Sequence, residues 1–296
     1  MRLLIAVFLV VGGLMLWNLK PPAVAEPGDF PPSPAVAGVA PIRLRVVTWN
    51  VWGLRWITPH RAERLQVVAR EIAKLKPDIV GFQEAFVEAD RQALIASLRV
   101  EGLEHARYFH SGLVGSGLLM VSRYPILNEG FIRYESNGRP EALHHGDWWA
   151  GKGLSLSTLD LPGGVRLYLG NTHLHARYKE NRYHDTQLAQ TGQLQPWARR
   201  VRETGAPSLW LGDWNNSPDS DVLAPLVEAG QWKLLSTDKP RIDHVFGGGE
   251  GAGWEWRVID QGKVNGKLES DPKVPWSDHA AVWVDVELRR VGEDGE

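Results

Sequence analysis

The chain of 296 residues contains no cysteine, which excludes disulfide bonds, cysteine-ligated metal sites and thiol nucleophiles. It also lacks an excess of basic charge, because 33 Lys and Arg residues face 35 Asp and Glu residues. Nucleic-acid enzymes usually carry a basic stripe that neutralises phosphates. The charge balance therefore argues against a nucleic-acid substrate, although a local basic groove is compatible with it. A hydrophobic content of 43% is typical of a soluble globular protein.

The N-terminus differs in composition from the rest of the chain. Arg2 precedes an apolar stretch from Leu3 to Trp17, shorter than the roughly 20 residues of a comfortable bilayer span. Ala23 and Ala25 offer the small residues of a cleavage site. We therefore expect a secreted or periplasmic protein, with a membrane tether if the segment is retained. The expected segments are a signal peptide or anchor over 1–25, a flexible Pro- and Ala-rich linker over 26–41, one folded domain over 42–290 and a tail over 291–296.

After residue 42, segments with the hydrophobic periodicity of helices alternate with segments that have the periodicity of strands. Apolar residues at helical spacing predict helices over 61–75, 90–98 and 187–204. Alternating or short buried runs predict strands over 43–50, 78–83, 117–122, 153–161, 165–172, 208–212 and 280–288. Hairpins mixed with strand–helix units indicate a mixed sheet system with helices on the outside.

Five short polar clusters lie at the ends of these strands: Thr48-Trp49-Asn50, Gln83-Glu84, Thr172-His173-Leu174-His175, Gly212-Asp213-Trp214-Asn215 and Ser277-Asp278-His279. A carboxylate where a strand leaves the core is costly unless it is paired or bound to a metal. Glu84, Asn50 and Asp278 together offer three hard oxygen ligands. Such a set favours Mg²⁺, with Mn²⁺ as a substitute.

Imidazole and carboxylate side chains complete the candidate catalytic set. His279 is the natural general base, because an imidazole near pH 7 can accept a proton from water, and Asp243 is the candidate partner that orients its ring. Asp213 and Asn215 are separated by one residue and can point to the same side of an extended segment. The sequence Asn216-Ser217-Pro218 that follows also indicates an Asx turn, and both interpretations can hold, because the turn would set the pair in place.

His173 and His175 also share one face of an extended segment. A histidine pair on a strand can bind zinc, but the neighbouring donors are oxygens and no third histidine is obvious. His173 is therefore better interpreted as a donor to a phosphate. For His175 a structural or substrate-rim role fits the sequence as well as such a donor role does.

Tryptophan is the compositional outlier, with 14 residues. Most are expected in the core, since tryptophan is highly buried on average. Four follow strand-like runs or stand in polar, glycine-rich surroundings and are candidates for a rim that meets lipid or an apolar ligand: Trp52, Trp56, Trp148 and Trp149.

The ordered clusters resemble the endonuclease/exonuclease/phosphatase superfamily over residues 43–288, including the Arg241-Ile242-Asp243-His244 stretch, where the family usually has Tyr in place of His244. The resemblance implies a four-layer α/β sandwich of two packed mixed β-sheets flanked by helices. It also implies a Mg²⁺-dependent phosphoric ester hydrolase. Carried over to this chain, the metal would be served by Glu84, Asn50 and Asp278. The base would be His279, oriented by Asp243, and the phosphate and the nucleophile would be handled by His173, Asp213 and Asn215.

A narrower resemblance is to neutral sphingomyelinases, carried by the stretches 82–86, 117–126, 144–153 and 172–176. It implies that the loop with Asp147 and Lys152 controls access of substrate, with Lys152 engaging a lipid phosphate or latching to Asp147. The implied activity is hydrolysis of sphingomyelin or a related phospholipid at a membrane surface, without a stable protein partner. The alternatives are a nuclease or an inositol-phosphate phosphatase on the same scaffold, and a catalytically silent lipid-binding protein.

Overall fold

The computed structural model describes residues 2–20, 27–28, 30–31, 38–55, 57–142, 146–178, 182–236 and 242–291. The helices are α1 (Arg2–Asn18), α2 (Arg61–Lys74), α3 (Glu88–Val100), α4 (His184–Glu203) and α5 (Ala224–Gly230). The strands are β1 (Ile42–Asn50), β2 (Ile79–Gln83), β3 (His105–Tyr108), β4 (Leu119–Ser122), β5 (Ile126–Arg133), β6 (Gly153–Leu161), β7 (Val165–His173), β8 (Ser208–Asp213), β9 (Lys233–Leu234), β10 (Asp243–Gly248), β11 (Trp254–Val264) and β12 (Ala281–Arg290).

The strands form two six-stranded sheets that pack face to face. One sheet has the order β11-β12-β1-β2-β4-β3 and the other the order β5-β6-β7-β8-β10-β9. Both are mixed, since β1–β2 and β7–β8 are parallel pairs among antiparallel neighbours. The central core lies between the sheets, and two further cores lie under α2 and α3 on one side and α4 and α5 on the other. The predicted four-layer α/β sandwich is confirmed.

The two sheets approach each other closely beside the ends of their parallel pairs. A Cβ added to Gly81 of β2 would collide with the side chain of Leu211 on β8, so only glycine allows this contact. The Gln83 amide donates to Oδ1 of Asn171 at 2.8 Å, and the Asn171 amide donates to the carbonyl of Phe82 at 3.2 Å. These buried polar groups satisfy one another across the sheets, which fixes the relative position of the strand ends.

The N-terminal apolar segment forms α1, and this corrects the expected localisation. The helix has 17 residues and is about 26 Å long at about 1.5 Å per residue, less than the roughly 30 Å of a hydrocarbon core. Within the described residues, no helix combines the length and the apolar character that a membrane crossing needs. The prediction of a secreted or periplasmic protein tethered through this segment is therefore wrong. The end of α1 instead contacts the folded domain, where Asn18 donates to the Trp148 carbonyl at 2.7 Å and accepts from Leu113 N at 2.7 Å.

Part of the expected linker also packs on the domain. Phe30 lies edge-on to Tyr168 and Trp197, with ring centroids 5.3 and 5.9 Å apart. The Tyr168 hydroxyl donates to the carbonyl of Pro31 at 3.1 Å. Most of the other linker residues, and 292–296 of the expected tail, lie outside the described residues.

Candidate active site

A cavity of about 200 Å³ opens where the two parallel strand pairs end. Nine of the eleven residues predicted for the site line it: Asn50, Glu84, Asp147, Lys152, His173, Asp213, Asn215, Asp278 and His279. The other two, Asp243 and His175, lie directly behind cavity residues.

Strand ends and two left-handed residues direct the polar side chains into the cavity. Asn50, His173 and Asp213 are the last residues of β1, β7 and β8. Glu84 follows β2 with φ 57°, and Asn215 has φ 51°. Left-handed backbone is unfavourable for residues with a Cβ and tends to mark functional sites. In both cases it turns a polar side chain out of the strand direction and towards the cavity.

His279 lies between two carboxylates. Its Nδ1 is 2.9 Å from Oδ2 of Asp243, and its Nε2 is 3.7 Å from Oδ2 of Asp213. Burial lowers the pKa of His279, but the charges of Asp213 and Asp243 outweigh it and raise the pKa to about 10. The ring is thereby oriented with Nδ1 towards Asp243 and Nε2 towards the cavity.

Asp213 is the most heavily contacted carboxylate of the site. Its Oδ2 accepts from the Asn50 amide at 3.0 Å and lies 3.3 Å from Nε2 of His173, while its Oδ1 accepts from the backbone N–H of Asn215 at 3.1 Å. Burial is the main reason that its pKa is raised to about 7. The bond from Asn215 is the Asx turn considered from the sequence, and it coexists with both side chains lining the cavity.

Glu84 carries an unsatisfied oxygen beside this cluster. Its Oε1 accepts from the Asn50 amide at 2.9 Å, whereas its Oε2 is buried and has no hydrogen-bond partner among the described residues. Burial raises the pKa of Glu84, and the nearby charge of Asp278 raises it further. A buried carboxylate oxygen without a donor is costly unless a cation binds it. The carboxylates of Glu84 and Asp278 therefore fit a hard divalent cation.

A second grouping competes for the same ion. One ligand atom each of Asp213, Asp243 and His279 lie within 4.8 Å of one another. The relevant oxygen of Asp213 already contacts Asn50 and His173, and His279 would have to lose a proton that two carboxylates hold. Each grouping contains a buried carboxylate oxygen without a hydrogen-bond partner among the described residues, Oε2 of Glu84 in the first and Oδ1 of Asp243 in the second. In the described arrangement the Asn50 oxygen accepts from Trp52 N at 3.0 Å, so Asn50 presents its NH₂ group to the acids.

Lys152 is buried in a network with Asp147 and His173. Its ammonium pairs with Oδ1 of Asp147, lies 3.0 Å from Nε2 of His173 and donates to the Leu174 carbonyl at 3.1 Å. The Tyr178 hydroxyl donates to the other Asp147 oxygen at 2.7 Å. Although burial opposes it, the Lys152 charge holds the pKa of Asp147 below its usual range. Burial and the Lys152 charge lower the pKa of His173, which keeps this imidazole neutral.

His175 contacts the neighbouring loop and helix. Its backbone N–H donates to Oε1 of Gln190 at 2.8 Å, and its carbonyl accepts from the Gln187 amide at 2.6 Å. Its ring lies 4.0 Å from that of Tyr183. These contacts make His175 part of the support of the site rather than of its lining.

Tyr178 and Arg64 support the site but were not predicted from the sequence. Tyr178 belongs to a loop whose partner is far away in sequence. Arg64 lies on the buried face of α2 and donates to the carbonyls of Trp52 and Trp276 at 2.7 and 2.8 Å, which fixes the segments after β1 and before Asp278. For Arg64, its position among the apolar residues of an amphipathic helix was the sequence feature that could have indicated a buried role.

The tryptophans divide between the core and the surface. Trp49, Trp210, Trp214 and Trp256 are fully buried. Of the four rim candidates, Trp52, Trp148 and Trp149 are half-buried, and Trp56 lies outside the described residues together with His144, His145 and Arg241.

The chain belongs to the endonuclease/exonuclease/phosphatase family, whose model matches residues 47–279. This match confirms the family predicted from the sequence. It agrees with the prediction of a phosphoric ester hydrolase.

Among characterised proteins, the chain is 38% identical over 177 residues to an inositol phosphosphingolipids phospholipase C of Schizosaccharomyces pombe, covering 59% of this chain and 42% of the relative. It is 33% identical over 180 residues to sphingomyelin phosphodiesterase 2 of Homo sapiens, covering 60% and 42%. The chain thus spans about two fifths of the length of these relatives. The predicted resemblance to neutral sphingomyelinases is confirmed.

A solved structure shares the fold. Sphingomyelinase C from Streptomyces griseocarneus superposes with a TM-score of 0.59 at 17% identity, over 82% of this chain and 99% of that one.

Proposed function

We propose that this chain is a metal-dependent phosphodiesterase of the neutral sphingomyelinase type. It hydrolyses sphingomyelin or a related phospholipid to ceramide or diacylglycerol and a phosphorylated head group. The observation that carries the proposal is His279 held between Asp243 and Asp213 at the mouth of a cavity that also contains the Lys152–His173 pair. The relatives named for inositol phosphosphingolipids and for sphingomyelin support the lipid substrate.

Glu84 and Asp278 would hold the cation, with Asn50 joining them if its amide turns its oxygen inward. The cation is Mg²⁺, for which Mn²⁺ can substitute. When bound, it stabilises negative charge on the phosphate oxygens.

The side chains of the site have separate roles in the hydrolysis. Nε2 of His279 accepts a proton from the attacking water, while Asp243 holds the Nδ1–H and stabilises the imidazolium. The new bond forms between the water oxygen and phosphorus, and the bond between phosphorus and the lipid oxygen breaks. The lipid leaves as an alcohol after taking a proton from solvent. Asn215 lies where its amide can donate to a phosphate oxygen, whereas Nε2 of His173 faces the Lys152 ammonium and accepts from it.

His279 must be neutral to accept a proton from water, and its raised pKa opposes this. With a pKa of about 10 the ring is protonated at neutral pH in the metal-free chain. A cation held by Glu84 and Asp278 would offset the field of the carboxylates and so would favour the neutral ring, whose Nε2 can act as a base.

Aromatic side chains near the cavity suit a substrate that stays in a lipid surface. Trp52, Trp148 and Trp149 are half-buried, so each side chain is partly packed and partly exposed. Amphipathic rings of this kind favour the boundary between water and lipid. No stable protein partner is needed for the reaction.

The test is release of phosphocholine from sphingomyelin vesicles by the full chain with Mg²⁺, with Mn²⁺ and with EDTA. The variant His279→Ala is compared with His105→Ala, a half-buried histidine on edge strand β3. Cation-dependent release that His279→Ala abolishes and His105→Ala preserves supports the proposal. Parallel reactions with plasmid DNA and an inositol polyphosphate test the alternatives, and turnover of either one instead of lipid would overturn the lipid substrate.

A further inference from the structure

A second, larger cavity adjoins the catalytic cavity. It has a volume of about 780 Å³ and is walled by the end of α1, the start of α3 and the loop 110–115. Phe86 lines both cavities, and Leu54 of the catalytic cavity is followed directly by Arg55 of the larger one. The volume is in the range of sites for small organic groups.

The wall between the cavities is part of the segment that carries Lys152. Gly112 pairs with Ala150 in an isolated β-bridge, and Gly151 N donates to the Gly115 carbonyl at 3.1 Å. A Cβ added to Gly151 would collide with Ser111. A group bound in the larger cavity is therefore separated from the Lys152–His173 pair only by the backbone of this wall.

The larger cavity is cationic. Among the described residues that line it, Lys20, Arg55 and Arg91 face one carboxylate, Glu88, which gives these residues a formal charge of +2 with His110 neutral. In the described lining of the catalytic cavity, the four carboxylates Glu84, Asp147, Asp213 and Asp278 outnumber the cationic groups of Lys152 and His279. The described linings of the two cavities therefore differ in the sign of their formal charge.

Two aromatic rings of the larger cavity already carry cations of the protein. The Lys20 ammonium lies 4.5 Å from the Trp17 ring, and the Arg91 guanidinium lies 3.5 Å from the Tyr108 ring. A quaternary ammonium group is recognised by free aromatic faces and nearby carboxylates. Here it would meet two rings that already hold a cation, beside the third ring of Phe86, in a positive field.

The cavity also offers an unused hydroxyl. Ser111 is 4% exposed, lines the cavity and has an Oγ without a hydrogen-bond partner among the described residues. A buried hydroxyl of this kind gains a bond when a ligand presents a hydroxyl or a phosphate oxygen.

We propose that the larger cavity binds the head group of the substrate, and that this head group is a polyol or an anionic group rather than choline. The inference rests on the proposed lipid phosphodiesterase function and adds the class of head group to it. The scissile phosphate occupies the catalytic cavity, and a polyol such as inositol extends past Phe86 towards Arg55, Ser111 and Lys20. Choline is disfavoured by the like charge it would meet there.

The experiment compares two lipids with the same ceramide, one with phosphoinositol and one with phosphocholine. Each is presented to the full chain at the same low mole fraction in neutral detergent micelles, so that the surface charge of the micelles contributes little. We expect kcat/KM to favour the phosphoinositol lipid by at least about tenfold. Lys20→Glu/Arg55→Glu should reduce this preference to roughly one, mainly through KM. The matched control Arg257→Glu, an exposed arginine on edge strand β11, should leave the preference unchanged.

The outcomes separate this inference from the proposed function. Equal turnover of the two lipids, or a preference for phosphocholine, overturns the head-group inference and leaves the phosphodiesterase proposal standing. Turnover of neither lipid, with cleavage of bis(4-nitrophenyl) phosphate retained, overturns the lipid substrate instead. In that case the head-group preference of the larger cavity is tested by inhibition of the soluble reaction. Inositol 1-phosphate should inhibit more strongly than phosphocholine, and the difference should vanish in Lys20→Glu/Arg55→Glu. Equal inhibition of the unmodified chain would overturn the inference.

Discussion

Asp243 and His279 form the best-defined acid–base pair of the site, with Oδ2 and Nδ1 2.9 Å apart. The strand register produces this pair, because Asp243 begins β10 directly opposite Asp213 at the end of β8. Both carboxylates therefore reach one imidazole ring from neighbouring strands. The field of these carboxylates, rather than burial, decides the protonation state of the ring.

The first prediction concerns this pair. Asp243→Asn removes the charge that orients and stabilises the imidazolium while preserving the size of the side chain. We expect kcat for a soluble phosphodiester to fall by about 10²- to 10⁴-fold, as for loss of a general base. His279→Ala should lose a similar factor, and the double variant should lose little more, because the two residues act as a unit. Fully additive losses in the double variant would contradict this pairing.

The second prediction concerns Glu84 and the cation. Glu84→Gln removes the charge of the unsatisfied oxygen and should weaken Mg²⁺ binding by more than about tenfold, measured by isothermal titration calorimetry. The matched control is Glu88→Gln, an exposed carboxylate at the start of α3. Because burial raises the pKa of Glu84, the metal-free Glu84→Gln variant should be at least as stable as the unmodified chain at neutral pH. Unchanged Mg²⁺ affinity would show that the cation is bound by other residues than Glu84.

Several central elements of the fold were predictable from sequence because they are strongly buried. The predicted strands 153–161 and 165–172 agree with β6 and β7 within one residue, and the predicted helix 61–75 agrees with α2 equally well. The interior strand β10 was missed although it is buried along its whole length. Other missed strands lie at sheet edges or are irregular. β11 is an edge strand with a bulge and mostly exposed or half-buried residues, and β5 contains Asn128-Glu129-Gly130 and a register shift. Their pairing depends on neighbouring strands more than on their own periodicity.

The location of the site and the pairing of Asp243 with His279 followed from the sequence, but the choice between the two roles of Lys152 did not. Parallel strands bring their carboxyl ends to one edge, so Asn50, His173 and Asp213 had to meet once the sheets were placed. Whether Lys152 pairs with Asp147 depends on loop conformations set by long-range contacts such as that of Tyr178. Sequence patterns carry no information on such contacts, and the same holds for the cavity formed with the end of α1.

The third prediction concerns the buried pair of Lys152 and Asp147. Lys152→Ala leaves Asp147 without its counter-charge and should lower the free energy of unfolding by about 3–5 kcal/mol. Lys152→Met combined with Asp147→Asn should recover most of this loss, because no unpaired charge remains. Urea denaturation of Lys152→Met, Asp147→Asn and their combination measures the coupling, beside Lys152→Ala.

The same variants test the expected role of Lys152 in substrate access. Lipid hydrolysis should fall far more than hydrolysis of bis(4-nitrophenyl) phosphate in Lys152→Ala, once the comparison is made at a temperature where the variant is folded. Tyr178→Phe, which removes only the hydroxyl donor to Asp147, serves as the mild control. Equal losses on both substrates would show that Lys152 supports the site without controlling access.

The last prediction is a fall in the stability of the metal-free protein as the pH rises. The folded pKa of His279 is about 10, above its ordinary value of 6.5, so its contribution is fully present below about pH 6.5 and is lost as the pH rises through about 10. Asp213 acts in the same direction at lower pH, because its pKa is raised to about 7 and the buried carboxylate ionises as the pH passes that value. The free energy of unfolding in EDTA should therefore decrease from pH 6.5 to pH 9. Asp243→Asn removes part of the field on His279 and should flatten this decrease, whereas His105→Gln should not. A stability that is constant or rises over this window would mean that the two carboxylates do not hold a proton on His279.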